Sequence, residues 1–255
     1  MQKRVIILCE LLGFSARELT DIRKPLREFF SHSEDNPHGW GLLYSGGCVK
    51  EKLQASRSRK LDEIIDGITS QKAVLGHIRY ATVGRICTLN CHPFTAQDNT
   101  GRQWTLVHNG TIYNAGKLVH TYKDRLGDTD SEAMFLYLIE TINKHQKTPL
   151  SAKQRFTLID KFVCEMSYRN KLNLMIFDGE LLYVHKNMDD TMRYRKYESG
   201  YIFATKPLDS ERWLDVPTAQ LTAYKDGELV FEGEKHGGIF HSNLQYITVT
   251  DAMNI

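Results

Sequence analysis

The densest gathering of side chains able to do chemistry lies between Gly76 and Asn114. A strand-like run ends in His77-Ile78-Arg79-Tyr80-Ala81-Thr82 and leads through Asn90-Cys91-His92-Pro93-Phe94 to His108-Asn109-Gly110. Guanidinium, imidazole, thiol and amide groups in so short a stretch suggest a site, although each part also has a structural explanation. Arg79 could be a salt-bridged strand end and His92-Pro93 a turn. For an isolated Asn109-Gly110 the expected structure is a type I′ hairpin turn, whose two central residues both need φ > 0. Cys87, Cys91 and His92 could be read as metal ligands, but a zinc site takes four ligands, and the sequence lacks a second Cys-x₂₋₄-Cys unit to complete one. No metal is expected.

Helices and strands must hold these residues. Leu61, Ile64, Ile65 and Ile68 fall at i, i+3, i+4 and i+7, the apolar stripe of an amphipathic helix lying on something flat. Thr129-Asp130-Ser131-Glu132 fits a capping box and predicts a helix running through Met134, Phe135, Leu138 and Ile139, and another is expected from Leu150 to Met166. Short β-rich runs occupy Trp40 to Tyr44, Ala73 to Ile78, Trp104 to His108, Leu172 to Phe177, Leu181 to His185, Tyr201 to Thr205 and Leu229 to Phe231. Asp178-Gly179 and Asp226-Gly227 are hairpin signals and Ser45-Gly46-Gly47 is another tight turn, so pairing should be antiparallel. With no glycine-rich linker, charge block or repeat to divide it, the chain reads as one α+β body of antiparallel sheets covered by helices.

With 255 residues, 41% of them hydrophobic and 25% charged, the chain can bury a sizeable core without disulfides or a structural metal, and collagen-like and disordered classes are excluded. Thirty-three basic against 31 acidic residues, a formal +2, gives no electrostatic case for nucleic acid or an anionic membrane. The basic stretch Arg57 to Lys60 is followed by Asp62, Glu63 and Asp66 and reads as a solvated helix start. The longest strongly apolar run, Val5 to Cys9, falls far short of the roughly 20 residues that span a bilayer, so no membrane partner is expected. Five cysteines, an odd number at irregular spacing, fit a reducing cytoplasmic setting better than a secreted disulfide framework.

Motifs then follow one another in a telling order: Cys9-Glu10-Leu11-Leu12-Gly13, Gly39-Trp40-Gly41, His77 to Thr82 with Gly84, Asn90-x-His92-Pro93-Phe94, His108-Asn109-Gly110 and Asp128-Thr129-Asp130-Ser131-Glu132. In that order and spacing the chain resembles the class II glutamine amidotransferases, most of all their small stand-alone branch. The likeness extends to Phe203-Ala204-Thr205-Lys206-Pro207-Leu208, Trp213 and Gly227-Glu228-Leu229 in the C-terminal third. It implies an N-terminal nucleophile hydrolase fold: a four-layer αββα sandwich with two antiparallel sheets between helical layers.

The resemblance also implies roles. An amide carbon is a poor electrophile, and a cysteine thiolate, the strongest common side-chain nucleophile, divides its hydrolysis into two easier steps through a thioester. Cys9 matches the family's nucleophile, whose own α-amino group, with a reference pKa of about 7.7–8.0, serves as base. Asn109 and the backbone N–H of Gly110 match the oxyanion hole. Glutamine's other end is a zwitterion, so Arg79 would take its carboxylate and Asp130 its ammonium. Tyr80, Thr82 and His108 would lie beside the substrate, and Trp40 and Gly41 in a strand packed next to the nucleophile.

In the resembled family the nucleophile directly follows the initiator Met, whereas Met1 to Leu8 precede Cys9 here. Residues 1–8 are therefore expected to be an extension, from a mis-assigned start or a cleaved propeptide, and 9–255 a single glutamine amidotransferase type-2 domain. A chain that kept them would lack the basic amine and would be a catalytically inactive glutamine-binding regulatory protein. His38 replaces the branch's usual Asp before Gly-Trp-Gly, and Val83 stands where the sugar-phosphate synthases carry His, departures that touch specificity. The expected activity is Cys-dependent hydrolysis of the γ-amide of glutamine or a γ-glutamyl conjugate, with no cofactor. The expected partners are that small-molecule substrate and, for any ammonia transfer, a separate synthase subunit.

Overall fold

Residues Glu10–Thr20 form a long first strand, β1, whose leading residues are buried on both faces. In the computed structural model, which describes residues 9–68 and 70–241, β1 lies in the middle of a seven-stranded sheet. On one side it pairs with β4 (Gln71–Ile78), which in turn pairs with β2 (Trp40–Tyr44) and through it with β3 (Gly47–Glu51). On the other it pairs with β10 (Gly200–Ala204), followed by β9 (Arg193–Lys196) and β11 (Leu214–Asp215). A second sheet has six strands: β5 (Phe94–Gln97), β6 (Gln103–Thr111), β7 (Lys171–Phe177), β8 (Leu182–His185), β12 (Thr222–Lys225) and β13 (Glu228–Glu232). Neighbouring strands of both sheets run antiparallel.

Side-chain alternation with period two divides the core into three apolar layers. Leu12, Phe14 and Ala16 of β1 point to α1 (Arg23–Ser31) and α2 (Arg59–Gly67), meeting Leu26, Phe29, Leu61 and Ile65. Leu11, one residue out of phase, packs between the sheets with Leu75, Val107, Met175 and Phe203. On the far side Leu106, Leu172, Leu174 and Ile176 meet Phe135, Leu138, Ile159 and Val163 from α3 (Asp130–His145) and α4 (Ala152–Ser167). The result is the expected αββα sandwich. Each fully buried side chain of this kind contributes about 1.5–3 kcal/mol of transfer free energy.

The two long helices begin where their caps predict. Thr129 accepts the N–H of Glu132, and Ser151 with Gln154 forms a capping box. Asp226 and Gly227, at φ 47° and 73°, supply the left-handed pair that a tight hairpin between β12 and β13 needs. Asn109-Gly110 is corrected from a turn to a strand. Both residues lie inside β6, opposite Asn173 and Leu172 of β7, and the pairing continues to Thr111 opposite Lys171. Gly110 is needed for close approach instead, since a Cβ there would fall on the carbonyl oxygen of Lys171.

Asp178, at the turn between β7 and β8, joins the hairpin to α4. Its carboxylate accepts the N–H groups of Glu180 and Leu181, the Tyr183 hydroxyl at 2.9 Å and Arg155 Nε at 2.6 Å, while Arg155 also reaches Glu180. Arg155 and Asp178 are almost wholly buried. Arg155→Ala, which removes the close buried cation and leaves only Arg102 at 3.8 Å, should lower unfolding free energy by about 3 kcal/mol, read from urea denaturation.

Candidate active site

The site forms where the start of β1 meets the ends of β4 and β6, so that two different sheets each supply part of it. Pairing of Glu10 with Ile78 brings Cys9 beside the residues that follow β4. The Tyr80 N–H lies 3.2 Å from Cys9 Sγ, and the thiol donates back to the Tyr80 carbonyl at 3.3 Å. From the other sheet, Asn109 Nδ2 donates to the Cys9 carbonyl oxygen at 2.5 Å. Burial pushes the Cys9 thiol pKa up, opposed by the Tyr80 N–H and by the positive charges of Arg79 and Lys171.

The residue next to the thiol is pinned. Glu10 is 2% exposed, and its carboxylate accepts His32 Nδ1 at 2.8 Å, Asn36 Nδ2 at 3.3 Å and Lys206 Nζ at 2.6 Å. The Glu10 hydrogen bond raises the pKa of His32. A raised folded-state pKa means that this stabilisation is complete below the unfolded value of about 6.5 and is lost as pH climbs through the higher folded value. His32→Gln should therefore destabilise the protein by about 1.5–3 kcal/mol near pH 5.5, and by clearly less near pH 9, in paired denaturation curves.

Beyond Tyr80 the chain makes a loop whose shape Arg79 sets. Its guanidinium, 3% exposed, donates to the carbonyls of Val83, Gly84 and Arg85 at 3.0–3.3 Å. The loop is tied to the turn before α3, because Asp128 accepts the Arg85 N–H and Nε together with the Asn90 amide. Asp130, in the first turn of α3, takes the N–H of Ile112 at 2.7 Å and of Ser131 at 2.8 Å, so its carboxylate sits just past Gly110. His38 Nδ1 accepts the Ala81 N–H at 2.9 Å, and its ring tilts over Tyr80.

Cys9 is thus brought into contact with both Tyr80 and Asn109, with Gly110 next to Asn109 in the strand. Gly41 pairs with His77, and a Cβ there would strike the His92 carbonyl oxygen. Three further expected residues are placed as follows. Trp40 is fully buried on the helix-facing side of the first sheet, edge-on to Phe30, because alternation along β2 turns it away from the inter-sheet layer. His108 is buried facing α3, with Nδ1 on Ser131 Oγ and Nε2 on the Lys171 carbonyl, so it fastens helix to strand. Thr82 is exposed on the loop.

His77 and His92 stack with ring centroids 4.2 Å apart, and burial pushes the His77 pKa down to about 3. Cys91 donates to the carbonyls of Glu51 and Cys87, and among the described residues no group of three or more His, Cys, Asp or Glu is arranged to hold a metal ion. No described helix is long and apolar enough to cross a membrane. All five cysteines are unpaired. Two parts of the site lay outside the sequence reading: the Glu10 anchor, whose partners come from distant elements, and Lys171. For the latter the local signal is a lysine heading a strand whose other residues, Asn173 apart, are apolar.

Two antiparallel sheets enclosed by helices, with a cysteine at the head of a central strand, define an N-terminal nucleophile hydrolase architecture. The model of the class-II glutamine amidotransferases matches residues 8–196, and the chain belongs to that enzyme family. A protein named as a glutamine amidotransferase in Haemophilus influenzae is 25% identical, the alignment covering 89% of this chain and 87% of that one. YafJ of Escherichia coli, named likewise, is 31% identical over 68% of this chain and 70% of its own length. The glutamine–fructose-6-phosphate aminotransferase of Bacillus subtilis is 32% identical over 54% of this chain but only 22% of its own. Among solved structures, a protein described as a glutamine amidotransferase from Pseudomonas aeruginosa superposes with a TM-score of 0.64 at 22% identity, covering 88% of this chain and all of that one. The glutamine phosphoribosylpyrophosphate amidotransferase of B. subtilis gives 0.64 at 16%, covering 91% of this chain and 50% of that one, a likeness of fold.

Proposed function

We propose that the mature protein begins at Cys9 and hydrolyses the γ-amide of glutamine or of a γ-glutamyl conjugate through a γ-glutamyl thioester. The observation that carries this reading is the contact of Asn109 Nδ2 with the Cys9 carbonyl, which puts an amide donor from one sheet against the nucleophilic residue of the other. In this scheme the α-amine of Cys9 takes the thiol proton as sulfur attacks the carbonyl carbon. The oxygen becomes anionic and is met by Asn109 Nδ2 and the Gly110 N–H. The C–N bond then breaks, the amine returns the proton to the departing nitrogen, and the thioester remains. Water, deprotonated by the same amine, attacks the thioester to give glutamate and regenerate the thiol.

Arg79 and Asp130 flank this centre with opposite charges, as a zwitterionic substrate requires. Arg79 directs three hydrogen bonds to loop carbonyls, so binding the α-carboxylate would draw on the remaining donors of its fork. The released ammonia goes to a separate synthase subunit or to solvent. A reducing, cytoplasmic setting suits the free Cys9 thiol on which this chemistry depends.

The test is to determine the intact mass and N-terminal sequence of protein from its native host. Protein beginning at Cys9 is then incubated with glutamine and a panel of γ-glutamyl compounds while glutamate is followed. Release of glutamate by that form, and not by a form carrying residues 1–8, is the expected result. A mature species that still begins at Met1 or Gln2, and binds glutamine without turnover, would instead make it a regulatory glutamine-binding protein.

A further inference from the structure

Lys171 opens β7, and its side chain lies on the inter-sheet face of that strand, the face that also carries Asn173 and Met175. It is 6% exposed, yet among the described residues no carboxylate pairs with it. Its recorded hydrogen bond is to Asn109 Oδ1, at 3.5 Å. The other strongly buried lysine, Lys186, behaves as buried cations ordinarily do and meets Asp215 at 2.6 Å. An ammonium withdrawn from water without a counter-charge costs several kcal/mol, so its retention calls for a benefit elsewhere.

We infer that Lys171 is a positioning residue for the amide-cleaving centre, setting the orientation of the Asn109 amide and supplying positive charge to the Cys9 thiolate and the oxyanion. The orientation argument is one of donor inventory. An ammonium only donates, so it can face only the Oδ1 end of an amide, and this turns Nδ2 towards Cys9. The Cys9 carbonyl, which accepts from Nδ2, favours the same orientation, and Lys171 adds to the penalty on a half-turn that would present an oxygen to a developing negative charge. The charge argument rests on the same neighbours. Cys9 and Lys171 each favour the charged form of the other, and burial together with that thiol leaves the Lys171 pKa at about 8. Arg79 adds a second positive field at the sulfur from the first sheet. The charge that develops during the reaction thus supplies the counter-charge that no described carboxylate gives Lys171.

This inference rests on the proposed amide hydrolysis, and its test separates the two. In Lys171→Met protein beginning at Cys9, kcat for glutamate release should fall about 10–100-fold with KM nearly unchanged, because the interaction strengthens only as charge develops. Thermal stability should hold or rise, since an unpaired buried charge is replaced by an apolar side chain of similar length. Lys171→Arg, which keeps the charge, should recover part of kcat. In the full chain, alkylation of Cys9 by iodoacetamide at fixed neutral pH should slow by about 10-fold in Lys171→Met, the equivalent of one pKa unit at the thiol. Unchanged kcat and alkylation overturn the inference. So does a parallel fall in stability and activity that Lys171→Arg fails to relieve, which would make Lys171 merely structural. If the unaltered enzyme releases no glutamate, the hydrolytic reading fails, while the alkylation comparison still decides the role of Lys171.

Discussion

Cys9→Ala should reduce glutamate release by about 10⁴-fold or more, since removing the nucleophile of a covalent mechanism removes both of its chemical steps. The fold should survive. The side chain is small and half-buried, and the thiol's recorded hydrogen bonds are to backbone groups of Tyr80. The strand is held independently by Glu10 through His32, Asn36 and Lys206. A melting temperature close to that of the unaltered protein, together with lost turnover and retained glutamine binding, is the expected pattern. An unaltered N-terminal extension should have an equivalent effect with the sulfur still present, because an amide nitrogen at residue 9 has no basic lone pair for the thiol proton. Turnover that persists in Cys9→Ala would assign the chemistry to another nucleophile.

Asn109→Ala comes next in size, with kcat expected to fall about 10²–10³-fold and KM to move much less, as for loss of one pre-organised donor aimed at a developing oxyanion. Asn109→Asp sharpens the test. The new carboxylate keeps the volume of the amide and an oxygen towards Lys171, but it replaces the Nδ2 donor by an oxygen set against the Cys9 carbonyl and the oxyanion, and should abolish turnover. Turnover lower in Asn109→Asp than in Asn109→Ala separates an electrostatic role from a packing role, since the aspartate preserves the packing and reverses the charge. Equal activity in both variants would remove Asn109 from the oxyanion hole and leave only the Gly110 N–H.

Much of the frame was legible along the chain because its signals are local. The capped start at Thr129, the helix expected from Leu150 to Met166, the stripe Leu61-Ile64-Ile65-Ile68 and the Asp-Gly turns each depend on a few neighbouring residues, and each forms close to where expected. β1 was recognised as a motif but not as a strand. Its leading residues are buried on both faces, so the polar-apolar alternation that marks a half-exposed strand is absent. Asn109-Gly110 misled for the converse reason. The pair carries a strong turn signal, but β7 alongside extends the strand through it, and close contact with Lys171 explains the glycine.

By itself the sequence determined the family, the layered class of fold and three of the four α-helices, α1 at Arg23–Ser31 going unsignalled, and it nominated the cysteine, the amide, the arginine and the aspartate. These follow from residue type, order and short-range pattern. Only the tertiary structure decided which of them meet. Cys9 and Asn109 are separated by 100 positions and belong to different sheets, so their contact depends on how those sheets stack, a non-local packing outcome that no local periodicity encodes. The same stacking brought Lys171, which no described carboxylate pairs, to the amide that faces Cys9.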